Sequence, residues 1–107
     1  EGAVFSSQFA PDDTDPAVQK FISDFRAKYS KDPTIFEALG YDTAVVVENA
    51  LKTAKELNGT SIRDALAATN GLSLVTGTFK FDSERNPEKK VTFIEVKGGK
   101  LTLKEKK

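Results

Sequence analysis

Apolar residues change period several times along the chain, and each change marks an element. AVFSSQF, residues 3–9, is a short run rich in β-branched and aromatic positions that ends at APDDTDP. It predicts a buried strand running into a turn. Asp15 and Pro16 then form a helix start, with a side-chain acceptor at the N-cap and a proline at N1, where its missing N–H costs nothing. Val18, Phe21, Ile22 and Phe25 follow at i, i+3, i+4 and i+7. They predict a first helix from about Pro16 to Tyr29, ended by SKDP.

TIFE is a capping box: the Thr34 side chain can accept from the Glu37 N–H while Glu37 reaches back to the Thr34 N–H. The helix it opens should end near Ala54 or Leu57. Its first half (Leu39, Ala44, Val45, Val46, Val47) is apolar nearly all round, which predicts burial on more than one side. Its second half carries a polar stripe of Glu48, Lys52 and Lys55, with Glu48 and Lys52 a favourable i,i+4 pair. After the break at NGTS, a short third helix is predicted, capped by Ser61, with Ile62, Ala65 and Leu66 turned to the core and Asn70-Gly71 as its stop. GTFKFD alternates, so Phe79 and Phe81 share one face of a strand. VTFIEVKGGKLTL reads as a hairpin whose Gly98-Gly99 turn tolerates positive φ.

The predicted order is β-α-α-α-β-β-β, an α/β pattern. Strands do not alternate with helices throughout, and the all-round apolar helix needs cover. Two readings stand: part of a larger α/β protein, or a self-contained α+β domain.

Composition narrows the function classes. With 38% hydrophobic and 30% charged residues in 107, the chain is an ordinary folded composition for one small domain. Sixteen basic residues balance sixteen acidic ones, which argues against an electrostatic nucleic-acid binder. The basic KGGKLTLKEKK reads as a solvated tail. There is no cysteine and no histidine. The commonest general base, the thiol nucleophile and the usual zinc and copper ligands are therefore missing, which points away from an enzyme. No run approaches the ~18 apolar residues of a membrane span. The chain opens on Glu1 rather than a methionine, so processing or truncation ahead of it is expected.

Few residues suggest chemistry. Asp82, Glu84 and Asn86 have the i, i+2, i+4 spacing of a calcium loop, but Pro87 stands where glycine is needed and Phe93 where a bidentate glutamate is needed. A polar turn is the expected reading, with Asp82 bonding nearby N–H groups. Asp12, Asp13 and Asp15 cluster ahead of the first helix, where acids complement its positive end; a weak cation site is the alternative. Glu37 and Asp42 lie on different faces of the second helix, so capping and surface roles are expected rather than acid–base work. Asn58-Gly59-Thr60 matches a glycosylation sequon, but a helix end and the next N-cap explain it. Ser6 and Ser7 have no histidine to activate them.

A resemblance carries the reading further. EG opening a strand, DP before a helix, LGYDTA on the long helix, VTGTFKFD, NPEKK and VKGGK occur in one order over essentially all 107 residues. In that order they resemble the C-terminal portion of ABC-transporter solute-binding proteins of the branched-chain amino acid (Leu/Ile/Val-binding) type, which have the type I periplasmic binding fold.

The resemblance implies a two-lobed α/β protein whose cleft closes on a small solute, such as an amino acid or a related carboxylate. On that basis residues 1–8 form a strand of the second lobe, and 12–82 the helices and a strand of the first. Residues 83–90 form a crossing between lobes, and 91–107 a second-lobe hairpin and tail. The hinge would comprise Gln8, Phe9, Ala10 and Pro11 on one crossing and Arg85, Asn86 and Pro87 on the other.

A family aromatic lining the pocket falls on Phe36, with Thr34 and Ile35 beside it; first-turn helix packing is the competing explanation for Phe36. The implied partners are the solute, bound together with the missing parts of the protein, and the membrane subunits of an ABC transporter. No cofactor, metal or nucleic acid is implied. The location would be periplasmic or extracellular, with membrane association in Gram-positive bacteria. A ligand-sensing module of a receptor with the same fold is the alternative. With half the cleft missing, this stretch alone should bind no solute usefully. With Val45–Val47 and the first strand uncovered, it is expected to dimerise.

Overall fold

The computed structural model describes residues 1–107. In chain order the elements are β1 (Val4–Ser7), α1 (Pro16–Tyr29), α2 (Ile35–Thr53), α3 (Gly59–Ala67), β2 (Asn70–Leu74), β3 (Gly77–Phe81), β4 (Pro87–Glu88), β5 (Thr92–Lys97) and β6 (Lys100–Lys106). The strands form two antiparallel three-stranded sheets, ordered β1-β5-β6 and β2-β3-β4. The molecule is elongated, 51 × 32 × 19 Å.

The first two helices follow their local signals. The Asp15 carboxylate accepts the Ala17 N–H at 2.8 Å, Pro16 occupies the first turn, and α1 ends where Ser30 turns left-handed at φ 55°. Thr34 and Glu37 form the reciprocal capping box of α2. The helix ends at Thr53, and Glu48 and Lys52 pair at 2.6 Å. Val18, Phe21 and Ile22 of α1 pack with Phe9, Ala38 and Val75 into the main core, with Phe25 and Ile35 at its margin. Phe21 meets Phe9 edge-on at 6.2 Å and Tyr41 at 5.1 Å. Such pairs contribute roughly 0.5–1.5 kcal/mol beyond area burial.

Several expectations change. Asn58, not Ser61, caps α3: its side-chain oxygen accepts the Ser61 N–H at 2.9 Å. Asn70-Gly71 does not stop α3, which ends at Ala67; these residues open β2. Gly71 has φ 70°, and the register shifts between Asn70 and Leu72, so the glycine serves a bulge inside a hairpin with β3. A turn signal and a bulge signal look alike in sequence, and β2 was missed for that reason. The NPEKK stretch likewise holds a two-residue strand, β4, paired with β3. Ile62, Ala65 and Leu66 are half-buried, and α3 has no fully buried residue.

The apolar first half of α2, read as a face needing cover that this stretch does not supply, is indeed partly open. Val47 is 45% and Leu51 43% exposed, because nothing in this chain covers that face. β1, read as a strand buried only with cover from outside this stretch, leaves Val4 and Phe5 nearly half exposed for the same reason. In the hairpin β5–β6, Ile94 faces Leu103 and Val96 faces Leu101. Gly98 (φ 59°) and Gly99 (φ 71°) make the turn between the paired Lys97 and Lys100, the two positive φ values of a type I′ turn.

Candidate functional site

Two connections join the β1-β5-β6 sheet to the helical half. One follows β1; the other runs from β3 through β4 to β5. Between them lies a groove of about 410 Å³ lined by Ser7, Gln8, Ile35, Pro87, Lys89 and Lys90, among others. It brings together three of the residues singled out from sequence: Gln8, Ile35 and Pro87.

The others fall elsewhere. Phe9 and Ala10 are buried, Phe9 in the main core, and the Ser7 hydroxyl donates to the Phe9 carbonyl at 3.1 Å. Pro11 is exposed. Ser7 pairs with Thr92, so it belongs to the first sheet. Gln8 alone therefore separates a sheet residue from a core residue on this connection. Arg85 and Asn86 sit in a tight turn closed by Asp82, which accepts N–H groups from Glu84 and Asn86 at 2.8 Å each and the Asn86 side-chain amide at 3.0 Å. Arg85 takes φ 69° there. These bonds hold the Asp82 carboxyl below the usual carboxylate range, the Asn86 side chain contributing most. The turn is thus the polar one read from sequence.

Thr34 is engaged as the α2 cap, and Glu37 is held below the usual range chiefly by its bonds to Thr34. Ile35 packs against the core and also lines the groove. Phe36 is 80% exposed. The first-turn packing explanation for Phe36 does not hold, since a packed phenylalanine would be covered. The clustered acids also have partners. Asp12 accepts the Leu103 N–H at 2.8 Å, Asp13 accepts the Asp15 N–H at 2.9 Å and pairs with Lys106, and Asp15 caps α1. They tie the first connection to β6 and α1, and no group of acids is arranged to hold a metal.

Two groups outside the sequence-level candidates belong to this site. Asp42, expected at the surface, is 4% exposed. Its carboxylate accepts the N–H of Val75 at 2.8 Å and the N–H and hydroxyl of Thr76 at 2.9 and 2.6 Å. Lys89 donates to the Thr76 hydroxyl at 2.7 Å. Burial pushes the Lys89 ammonium below the usual lysine range, partly offset by the Asp42 charge. Both lay in motifs already noted, LGYDTA and NPEKK, but their meeting depends on a β2–β3 hairpin that was not foreseen.

A second groove of about 440 Å³, between α1 and α2, is lined by Phe21, Phe25, Tyr29, Tyr41 and Val45. Its rim charges Lys20 and Asp24 pair with each other at 2.5 Å and Lys28 lies over the Tyr29 ring, so it offers a mainly apolar wall.

Comparison with known proteins decides the family: the model for "Periplasmic binding protein" matches residues 1–100. The chain belongs to the periplasmic binding protein family. Solved structures of such proteins agree. A Rhodospirillum rubrum protein assigned to branched-chain amino acid ABC transport is 34% identical, with TM-score 0.86 over 97% of this chain and 31% of that one. The branched-chain amino acid transporter substrate-binding protein LivJ from Streptococcus pneumoniae, in complex with isoleucine, is 33% identical, with TM-score 0.80 over 97% and 30%. An ABC transporter substrate-binding protein from Desulfitobacterium hafniense, in complex with Leu, is 26% identical, with TM-score 0.87 over 97% and 31%. This periplasmic binding protein chain thus spans about 31% of the length of the solved structures it matches. Curated protein sequences give no match.

Proposed function

We propose that this chain is part of the solute-binding component of an ABC importer, without catalytic activity of its own. The complete protein holds an amino acid or related carboxylate between two hinged lobes. Residues 1–8 and 91–107 belong to one lobe and 12–82 to the other, with 83–90 as a crossing. Ligand bridging the lobes shifts an open–closed equilibrium.

The observation that carries this reading is the pair of separate sheets joined by two connections with a groove between them. The names of the relatives support it, and so does Phe36, a large apolar side chain left in the open on the first turn of α2. The membrane subunits of the transporter are its partners, in the periplasm or outside the cell, with membrane association in Gram-positive bacteria.

The test is calorimetric titration of the complete protein with leucine, isoleucine, valine, other amino acids and aromatic carboxylates. Saturable binding of at least one is expected. No heat across the panel overturns the reading.

A further inference from the structure

Hydrogen bonding limits where the second connection can bend. Glu88 pairs with Lys80, so it moves with the β2-β3-β4 sheet. Val91 exchanges backbone bonds with Lys107 at 2.6 and 2.9 Å, so it moves with the β1-β5-β6 sheet. Only Lys89 and Lys90 lie between the two ladders. Their φ and ψ must absorb any rotation of one sheet against the other on this side. On the other side Gln8 lies between the sheet residue Ser7 and the core residue Phe9, and beyond it Asp12 and Asp13 bond back to Leu103 and Lys106 of β6.

Lys89 is not free to follow such a rotation. Its Nζ donates to the Thr76 hydroxyl at 2.7 Å. That hydroxyl donates its single proton to Asp42 at 2.6 Å, so the oxygen is left as an acceptor facing the ammonium. Asp42 is in turn held by the Val75 and Thr76 N–H groups on buried backbone. The chain Asp42–Thr76–Lys89 therefore runs from α2, through the β2–β3 turn, to the two-residue link. Each bond in it has a charged donor or acceptor, the stronger class of hydrogen bond.

We infer that Lys89 is a positioning residue: through Thr76 and Asp42 it fastens the Lys89–Lys90 link to the helical half and so sets the angle between the two sheets. That this angle governs solute retention rests on the solute-binding reading above; the fastening itself does not.

The experiment uses the complete protein with spin labels at Thr78→Cys on β3 and Lys100→Cys on β6, reading the distance between the sheets. Lys89→Met, which keeps the chain length but removes the ammonium, is expected to broaden the distance distribution. It should also raise the solute dissociation rate about tenfold, the ratio a charged hydrogen bond is worth. Lys89→Arg should restore both. Thr76→Val should broaden the distribution at least as much, since it removes the Asp42–Thr76 hydroxyl bond as well, and adding Lys89→Met to it should broaden the distribution no further. If Thr76→Val does not fold, the Met and Arg variants at Lys89 decide alone. An unchanged distribution in Lys89→Met, or no difference between Met and Arg, overturns the inference. A broadened distribution in a protein that binds no solute supports the fastening and defeats the transport reading instead.

Discussion

Asp42 accepts both the backbone N–H of Thr76, at 2.9 Å, and its hydroxyl, at 2.6 Å, across 34 residues of sequence. This pair, with the Val75 N–H on the other carboxylate oxygen, anchors the β2–β3 hairpin to α2. Three donors surround one buried carboxylate, and removing it leaves two backbone N–H groups without partners.

Asp42→Ala should therefore lower the free energy of unfolding by about 3 kcal/mol, and Asp42→Asn, which keeps one acceptor oxygen, by about half as much. Urea titration of the complete protein measures both. A loss under about 1 kcal/mol for the alanine variant would mean that the hairpin is held by packing alone.

Phe36 separates stability from binding. It is 80% exposed, so Phe36→Ala should change stability by less than about 0.5 kcal/mol. If it lines the solute pocket of the complete protein, the same change should weaken solute binding about tenfold or more. Denaturation and calorimetry on one preparation read both. Unaltered affinity would remove Phe36 from the site.

The β5–β6 turn should tolerate asparagine but not a β-branched residue. Gly98 has φ 59°, and its N–H donates to the Glu1 carboxylate at 2.9 Å. Gly98→Asn is expected to be near neutral, whereas Gly98→Val should cost about 1–2 kcal/mol. Thermal melts of the two variants give the comparison.

Acid should loosen the chain through local caps. Glu37 and Asp82 both titrate below their ordinary range in the folded state, held there by bonds from Thr34 and Asn86. For a carboxyl with a lowered folded value, the stabilisation is complete above the unfolded value and disappears as pH falls through the folded one. The melting temperature should be level above about pH 5 and fall from about pH 4 downward. Glu37→Gln should flatten part of that fall.

The 107-residue piece prepared alone should self-associate. Val47, Leu51, Val4 and Phe5 are each more than 40% exposed, and β1 has an unpaired edge. Light scattering should give a mass that rises with concentration, and Val47→Lys with Leu51→Lys should reduce it. A monomer at high concentration in the unaltered piece would contradict this.

Local signals proved sufficient wherever one side chain and its own backbone neighbours decide the outcome. Asp15-Pro16, the Thr34–Glu37 box, the Gly98-Gly99 turn and the Asp82 turn are all such cases, and each formed from residues within four positions of one another. Asn58 was the exception. Asn58 was read as the end of the preceding helix, yet its side chain caps α3 three residues ahead of Ser61. β2 and β4 were missed because each is completed by β3 rather than by its own pattern. Ile35, Gln8 and Pro87, which line the groove, were among the residues singled out from sequence, while Lys89 and Thr76 were not.

Periodicity and capping chemistry were enough to establish the helices and the hairpin, since those depend on spacing along the chain, and the order of motifs carried the family resemblance. The burial of Asp42, the exposure of Phe36 and the narrowing of the two connections to Gln8 and to Lys89–Lys90 depend on which distant segments meet. A carboxylate reads the same in sequence whether water or three protein donors surround it. Only folding brings Val75 and Thr76 to it, and Lys89 to Thr76, and that convergence turns a residue expected at the surface into the anchor of the candidate site.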